Sequence, residues 1–217
     1  MSNSQTKPVK AGSRGEPEKT KTAILNAALA EFSHEGVAGA RTEEIARNAG
    51  VNKALLYYYF KSKDDLYAAV LEQALAPFVE QVEAVLDRDD LSAKERLLRY
   101  VETHFDYFGE APLFPRLVQR ELMQTGRNST TSRVLERYSR PFFAKLLKLI
   151  EQGCRTGEFR GGDAAQTVTS IVGVIAFYFT SIMVPQLSGI EEPFAPAYIA
   201  ARRAAVLDFI SAAVFGK

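Results

Sequence analysis

The feature that most constrains the fold of this chain is a glycine between two short helical segments near the N-terminus. Residues 42–49 and 52–60 carry apolar side chains at helical spacing, and Gly50 can adopt the left-handed conformation that ends one helix and turns the chain. Thr42 is predicted to cap the first helix and Asn52 the second, because their side-chain oxygens can accept hydrogen bonds from free N–H groups. Two short helices joined by such a turn form a helix-turn-helix unit.

The second helix of this unit has one apolar face and one polar face. Leu56 and Phe60 are four residues apart and are expected to point inward, which leaves an outer face formed by Lys53, Ala54, Tyr57 and Tyr58. In a helix-turn-helix unit the second helix lies in the major groove of double-stranded DNA. There a lysine can donate to guanine, and tyrosine hydroxyls suit phosphate oxygens. The pattern therefore predicts DNA binding; the alternative is three ordinary packed helices with tyrosines on their surface.

A third helix is predicted directly after the second. Ser62 and Asp65 have the spacing of a capping box, and Lys63 in the first turn can add a phosphate contact. Residues 51–66 (VNKALLYYYFKSKDDL) closely resemble the signature of the tetracycline-repressor (TetR) family. The match covers residues 18–70 and includes Ile24, Ala27, Ala28, Phe32, Gly36, Thr42, Ile45, Ala46, Ala49 and Gly50.

The resemblance implies a dimeric, all-helical transcriptional regulator, usually a repressor that a small molecule releases from DNA. By position it marks as DNA contacts the residues Thr42, Lys53, Ala54, Tyr57, Tyr59 and Lys63. Together with Asn52 and Tyr58, they form the predicted DNA-binding set. Two departures affect the expected contacts: Tyr59 stands where the family often has histidine, and Asn52 stands where serine is common.

The formal net charge of the chain is only +1, but the charge is distributed unevenly. Residues 1–63 contain ten Lys and Arg against six Asp and Glu, a net charge of +4. Residues 64–217 contain seventeen against twenty, a net charge of −3, so the two parts sum to +1. A basic N-terminal part on a mildly acidic body is expected when only one end of the protein meets phosphate.

Three parts of the chain are distinguished by composition. Residues 1–16 are rich in Ser, Lys, Gly and Pro and are predicted to be a disordered basic arm. This arm either follows DNA through Lys7, Lys10 and Arg14 or is a solvated tail with no defined contact. Residues 17–62 are predicted to form the helix-turn-helix DNA-binding domain, and residues 63–217 an effector-binding and dimerisation domain.

Beyond residue 62 the sequence shows only helical patterning, so the predicted fold class is all-α. A three-helix helix-turn-helix domain is followed by a helical ligand-binding and dimerisation domain. The first helix of the latter is expected to be kinked or broken near Pro77. Ser92 with Glu95 predicts a capping box, and Asp163 predicts a cap on a helix buried on nearly all sides. The predicted helical ranges are 62–86, 92–108, from 112 onward, 132–156, 163–184 and 196–215.

Composition also indicates the cellular compartment in which the protein is expected. The single cysteine, Cys154, excludes an intramolecular disulfide framework; it is interpreted as a buried small hydrophobe, with a redox sensor as the alternative. The most apolar run, residues 171–184, has fourteen residues, fewer than the roughly twenty that span a membrane. The N-terminus lacks the apolar segment of a signal peptide. A cytoplasmic protein that does not enter a membrane is expected.

The last two predicted helices carry more apolar side chains than one chain is expected to cover, which indicates an interface between two copies. The predicted interface residues are Ile171, Val174, Ile175, Ile182, Val206, Phe209 and Ile210. A homodimer of this kind would form a four-helix bundle from the paired helices. Its two-fold symmetry would require a palindromic DNA operator.

The middle helices are rich in aromatic residues and are expected to hold an apolar effector cavity with few polar anchors. The predicted effector-binding residues are His104, Phe105, Phe108, Leu117, Glu121, Tyr138, Phe142, Phe177, Tyr178 and Ser181. For each residue the alternative is ordinary core packing. Glu121 either pairs with Arg116 or Arg120 at helical spacing, or faces the cavity and favours a cationic effector.

These patterns predict a ligand-responsive, DNA-binding transcriptional regulator, a repressor that binds a palindromic operator as a homodimer and is released by a small, largely apolar effector. The alternative is a DNA-binding regulator whose helical body serves only dimerisation or protein contacts. An enzyme is not expected, because two histidines and one cysteine show no metal-ligand spacing, and the sequence has no nucleophile elbow or phosphate loop. No cofactor and no metal site are predicted.

Overall fold

The computed structural model describes residues 16–123, 130–181 and 183–216, and within them the chain forms ten helices. Extended structure in the described part is limited to one antiparallel bridge between Phe159 and Phe215, which agrees with the all-α prediction. The helices are α1 (Pro17–Gly39), α2 (Thr42–Asn48), α3 (Lys53–Tyr59), α4 (Lys63–Leu86), α5 (Ala93–Glu110), α6 (Leu113–Met123), α7 (Thr130–Thr156), α8 (Ala164–Thr180), α9 (Met183–Leu187) and α10 (Pro196–Val214).

The chain divides into two compact units, with the boundary between Val70 and Leu71. The first unit therefore continues eight residues past the predicted domain boundary at residue 62. Within it, α1 packs on α2 and α2 packs on α3. Its core consists of side chains that are almost completely buried, among them Ile24, Ala28, Phe32, Ile45, Leu56 and Leu66.

The second unit is built around two central helices, α5 and α8. α5 packs against α7, α8 and α10, and α8 packs against α6, α7 and α10. α5 is strongly amphipathic and buries one complete face, including Leu97, Tyr100, Val101 and Phe105. Burial of such apolar faces contributes roughly 25 cal/mol per Å² of surface removed from water, so packing on α5 is a major stabilising element of this unit.

The turn and cap signals of the sequence have mixed outcomes. Gly50 has a φ of +69°, as the predicted turn requires, and the Asn52 side chain caps α3 by accepting from Leu55 N at 2.8 Å. The capping box of Ser92 and Glu95 is present at the start of α5. The predicted Thr42 cap is wrong: Thr42 is the first residue inside α2, and no side-chain cap is formed there.

Two predicted helical ranges require correction. α4 continues through Pro77 as one helix, so of the two predicted alternatives, a kink or a break, the break does not occur. The apolar helix α8, which Asp163 caps, ends at Thr180 and not near residue 184, since Ser181 adopts a non-helical conformation and α9 starts separately. That helix is also not buried on nearly all sides, because Phe177 is exposed. Cys154 is half-buried, and its thiol donates to the carbonyl of Arg160 at 3.2 Å.

Some predictions concern parts of the chain for which no structure is described. The predicted N-terminal arm lies outside the described residues except for Glu16, and Ile182 also lies outside them. In the described portion, no group of His, Cys, Asp and Glu side chains has the arrangement of a metal site. Each described helix is too short or too polar to cross a bilayer.

Candidate nucleic-acid interface and internal cavity

The third helix of the first unit, α3, has one buried face and one exposed face, as the spacing of its apolar residues predicts. Leu56 and Phe60 are buried in the core of the unit, with exposed fractions of 0% and 5%. The opposite face is open to solvent and carries Lys53, Ala54, Tyr57 and Tyr58. Asn52, which caps this helix, is also exposed. Five of the eight predicted DNA-binding residues therefore lie together on one accessible surface, which runs along α3 from its N-cap to Tyr58.

Lys53 is held by a carboxylate from the preceding helix. Its Nζ lies 2.5 Å from Glu43 Oε1 and 5.9 Å from the centre of the Tyr57 ring. The hydrogen bond with Glu43 raises the pKa of Lys53, and the same bond lowers the pKa of Glu43. Both side chains are about half exposed, so the pair is screened by salt and can exchange for a phosphate or a base.

Glu43 was not predicted as part of this surface. The available signal was its position in the first turn of α2, ten residues before Lys53 and across the Gly50 turn. Sequence spacing alone does not show that this turn brings the two side chains together. The contact depends on the angle between α2 and α3, which is a tertiary property.

The remaining predicted DNA-binding residues are less accessible. Thr42 is 7% exposed, and its hydroxyl lies 3.4 Å from the Tyr57 hydroxyl, so it helps to fix Tyr57. Lys63 donates to the carbonyls of Ala38 and Ala40 at 3.3 and 3.2 Å, a contact that a phosphate would have to replace. Tyr59 is half-buried beside Tyr58 and Phe60.

The second unit contains a cavity of about 520 Å³ among α4, α5, α6, α7 and α8. That volume lies within the range of sites for drug-sized molecules. Its walls are mostly apolar and include the rings of Phe78, Phe108, Phe114, Phe142 and Phe143. Four predicted effector-binding residues line it, namely His104, Phe108, Glu121 and Phe142.

His104 is a polar group in this wall that carries no charge at neutral pH. Burial lowers its pKa to about 3, because desolvation disfavours the imidazolium. Its Nδ1 lies 2.9 Å from the hydroxyl of Tyr100. The rings of Phe78 and Phe108 meet it edge-on, with centroid distances of 4.9 and 4.5 Å. The cavity therefore presents a neutral, positioned imidazole.

Glu121 faces the same cavity and is 5% exposed. The Thr131 hydroxyl donates to its Oε1 at 2.6 Å. Within the described part of the chain, Glu121 forms no ion pair, so the structure favours the cavity-facing interpretation over a helical pair with Arg116 or Arg120.

Six predicted effector residues do not line this cavity. Phe105 and Leu117 are completely buried in the packed core, so their aromatic and apolar character serves packing. The Tyr138 hydroxyl donates to Glu72 Oε1 at 2.8 Å. The other three border a separate cavity of about 190 Å³ lined by Phe177, Tyr178, Ser181 and neighbouring residues.

Phe78 and Thr180 line the main cavity and were not predicted. Phe78 lies on α4 next to Pro77, and Thr180 is the last residue of α8. Neither has a local sequence signal that separates it from core residues, because cavity walls and core are both apolar at helical spacing.

The predicted interface residues fall into two groups. Ile171, Ile175, Val206 and Ile210 are at most 2% exposed within the single chain; they therefore offer a partner almost no accessible surface. Phe209 is 58% exposed and Val174 is half-buried. Large apolar side chains that were not predicted for the interface are also exposed on α8, α9 and α10: Phe177, Met183, Val184, Leu187 and Tyr198.

Comparison with known protein families gives matches in both units. Residues 24–70 match the family model described as bacterial regulatory proteins, tetR family. Residues 94–210 match the model described as a tetracyclin repressor-like C-terminal domain. The first match contains the whole helix-turn-helix unit, and the second contains most of the cavity wall.

Related proteins and solved structures agree with these matches. The chain is 31% identical to the HTH-type transcriptional repressor NicS of Pseudomonas putida over 76% of this chain and 77% of that protein. It is 30% identical to the HTH-type transcriptional repressor SCO4008 of Streptomyces coelicolor over 81% and 84%. The fold resembles that of the ketosteroid transcriptional regulator KstR2 of Mycobacterium tuberculosis, with a TM-score of 0.76, 18% identity and 95% and 99% coverage. The chain belongs to the tetR family of bacterial regulatory proteins and is a DNA-binding transcriptional regulator.

Proposed function

We propose that this protein is a repressor that binds a palindromic DNA operator as a homodimer and is released from it by a small molecule. The N-terminal unit reads the DNA, and the C-terminal unit binds the effector and dimerises. The observation that carries the proposal is the coexistence of an exposed Lys53 and tyrosine face on α3 with an apolar cavity of about 520 Å³ in the second unit.

The proposed DNA contacts are made by the exposed face of α3. Lys53 and Ala54 occupy the first turn of the helix, where residues of a recognition helix meet base edges. Tyr57 and Tyr58 follow on the same face and can donate to phosphate oxygens. Asn52 adds a polar group at the helix start. In this proposal Thr42 acts by positioning the Tyr57 hydroxyl, and Lys63 contacts phosphate only after leaving the Ala38 and Ala40 carbonyls.

The proposed homodimer uses the exposed apolar side chains of α8 and α10. Phe209 and Val174 border a groove of about 270 Å³ between these helices, with Ile171 and Ile210 at its base. Phe177 and Tyr198 extend the apolar surface. Exposed apolar groups on this scale are typical of association surfaces, and a two-fold pair of readers would favour a palindromic operator.

Release by a small molecule requires only that the effector binds more tightly to a conformation with low DNA affinity. The apolar cavity with a few positioned polar groups supports the existence of such an effector. The alternative, a regulator whose body serves only dimerisation, has no use for a cavity of this size. The names of the two similar proteins, both transcriptional repressors, support repression.

The test is selection of DNA fragments by the purified full-length protein at moderate salt. A palindromic motif is expected for the wild type and is expected to be lost in Lys53→Ala and Tyr57→Ala. Lys61→Ala is the matched control for Lys53→Ala, because it removes the same charge from an exposed lysine outside the predicted contacts. Sedimentation of each variant checks that the dimer is intact.

Enrichment limited to salt-sensitive bulk DNA would contradict the proposed operator. Loss of the dimer in either α3 variant would contradict the division of labour between the units. Phe209→Glu is expected to have the converse effect: a monomer with an intact α3 face and weak operator binding.

A further inference from the structure

The main cavity of the second unit has an unusual balance of charges. Two carboxylates, Glu121 and Glu136, line it. Among the described residues in its wall none is lysine or arginine, and His104 is uncharged at neutral pH because burial lowers its pKa to about 3. The fixed charge in the wall is therefore negative.

The two carboxylates differ in how far that charge is compensated. Glu136 is exposed and pairs with Arg140 one helical turn away, so it retains little net charge toward the cavity. Glu121 is 5% exposed, and among the described residues its hydrogen-bond donor is the neutral hydroxyl of Thr131, at 2.6 Å. A carboxylate has two oxygens and about four acceptor positions. Because Glu121 also lines the cavity, the acceptor positions that no described residue fills are available to a ligand bound there.

The aromatic rings around the cavity also favour a positively charged ligand. Phe78, Phe108, Phe114, Phe142 and Phe143 contribute to the wall. The face of an aromatic ring attracts a cation, and the attraction increases when the site excludes water. An anionic ligand would be repelled by Glu121, and the described wall has no basic group that would offset this repulsion. A neutral ligand would bring no counter-charge to the buried carboxylate.

We propose that the effector of this protein is an organic cation, a protonated amine or a quaternary ammonium with an aromatic or bulky apolar body. Its charged centre lies beside Glu121, and its apolar body lies against the phenylalanine rings. This inference rests on the proposed function, since it names the chemical class of the molecule that the cavity binds. Glu121 is the residue that determines specificity for charge.

Calorimetric titration of the full-length protein tests the charge preference directly. The probes are benzyltrimethylammonium and dimethyl benzyl carbinol, which have the same number of non-hydrogen atoms and nearly the same shape but differ in charge. The cation is expected to bind more tightly than the alcohol, roughly tenfold or more, because it alone pairs with a buried carboxylate. This comparison uses only the wild type, so it does not depend on the stability of a variant.

Glu121→Gln is expected to weaken binding of the cation roughly tenfold or more and to leave the alcohol within about twofold. Glutamine keeps the acceptor for Thr131 and the side-chain volume. Glu136→Gln is the matched control: it removes an equal charge from the same wall, but one that Arg140 already neutralises, and it is expected to change the affinity for the cation less than about threefold. Thermal unfolding of the ligand-free Glu121→Gln protein is expected to show no loss of stability.

Three results would overturn the proposal: no binding of the cation at millimolar concentration, equal affinity for the two probes, or equal effects of the two glutamine variants. The failure of the proposed function is a separate result. If the operator is bound but the cation is not, only the effector class is wrong. If the cation binds through Glu121 but no operator is selected, the cavity assignment stands and the repressor function is wrong.

Discussion

The two compact units of this protein treat their polar side chains in opposite ways. In the first unit the polar groups next to the predicted DNA contacts lie at the surface: Lys53 and Glu43 are each about half exposed, and Tyr57 is 38% exposed. In the second unit the polar groups of the candidate site are buried, since His104 and Glu121 are 2% and 5% exposed. The polar groups of the first unit are accessible to a large partner such as DNA, whereas those of the second unit are enclosed.

This difference predicts different sensitivities. Exposed charge pairs are weak and are screened by salt, so Lys53 can exchange Glu43 for DNA at little cost. Buried polar groups interact strongly and are costly to ionise or to leave unpaired. The first unit should therefore respond mainly to salt and to surface charge, and the second mainly to pH and to changes of packing.

The largest expected effect comes from protonation of His104. Its pKa is about 3 in the folded protein and 6.5 in the unfolded chain, so below pH 6.5 the unfolded state binds more protons. The stability that neutral His104 contributes is present above pH 6.5 and is lost as pH falls toward 3. The total loss is about 5 kcal/mol. Urea unfolding across this range should show a shallower pH dependence for His104→Gln than for the wild type.

His34→Gln is the matched control, because His34 is the other histidine of the sequence and is exposed. Carboxylates titrate in all three proteins, so the informative quantity is the difference between their pH profiles. Identical profiles for the wild type and His104→Gln would show that His104 is not protected from solvent, and the contrast between the units would be lost.

A packing change in the second unit should have the next largest effect. The ring of Phe159 lies against Gly153 of α7, at a distance that leaves no room for a Cβ atom. Gly153→Ala is expected to destabilise the protein by about 1–3 kcal/mol, because overpacking forces side chains or backbone to shift. Gly109→Ala in α5 is the control, since the nearest atom to its Cβ would be on Ile199 at 3.7 Å. Thermal unfolding that ranks the two variants equally would contradict the close contact.

Helix caps allow the same type of bond to be compared in both units. Asn52 accepts from Leu55 N in the first unit, and Ser92 accepts from Glu95 N in the second. Replacing either by alanine is expected to cost about 1 kcal/mol of stability. Only Asn52→Ala should also weaken DNA binding, because α3 has seven residues and depends on its cap. Fluorescence anisotropy with an operator fragment distinguishes the two; equal weakening by Ser92→Ala would mean that the units are not independent in this respect.

The smallest expected effect concerns the partner of Lys53. Glu43→Gln should tighten DNA binding roughly twofold to fivefold, because it frees Lys53 and removes an anion close to the phosphates. Binding titrations over a series of salt concentrations measure this change. Glu44→Gln is the control, since Glu44 lies in the same turn and pairs with Arg47 instead.

The difference between Glu43→Gln and Glu44→Gln isolates the release of Lys53 from the general effect of one lost negative charge. Weaker binding by Glu43→Gln than by Glu44→Gln would mean that Glu43 orients Lys53 for DNA and does not compete for it. In that case the exposed pair of Glu43 and Lys53 would fix the position of a side chain, as the buried contacts of the second unit do.

The prediction of the first unit from sequence was largely correct because its signals are local. Gly50 requires a left-handed conformation, Asn52 needs only the N–H group three residues later, and the burial of Leu56 and Phe60 follows from their spacing. Thr42 was the exception: the hydroxyl that suited a cap forms a contact with Tyr57, fifteen residues away. A local signal cannot reveal a competing partner that only the folded chain supplies.

Four of the ten residues predicted to bind the effector line the candidate cavity, and the other six lie elsewhere. Phe105 and Phe108 lie three positions apart on α5, yet the first packs in the core and the second lines the cavity. Both are aromatic and both are buried, so neither composition nor periodicity distinguishes them. The same limit affected α8 and α10, where Ile175 is buried within the chain and Phe209 is exposed.

The sequence by itself determined the all-α class, the positions of most helix ends, the helix-turn-helix unit and the family of the protein, because backbone conformation, capping and helical periodicity act over a few residues. Only the tertiary structure decided which apolar residues enclose the cavity, which remain exposed on α8–α10, and that Glu43 meets Lys53 while Glu121 faces the cavity. These properties depend on how helices distant in sequence pack together, and burial depends on every neighbour of a side chain and not on its own chemical type.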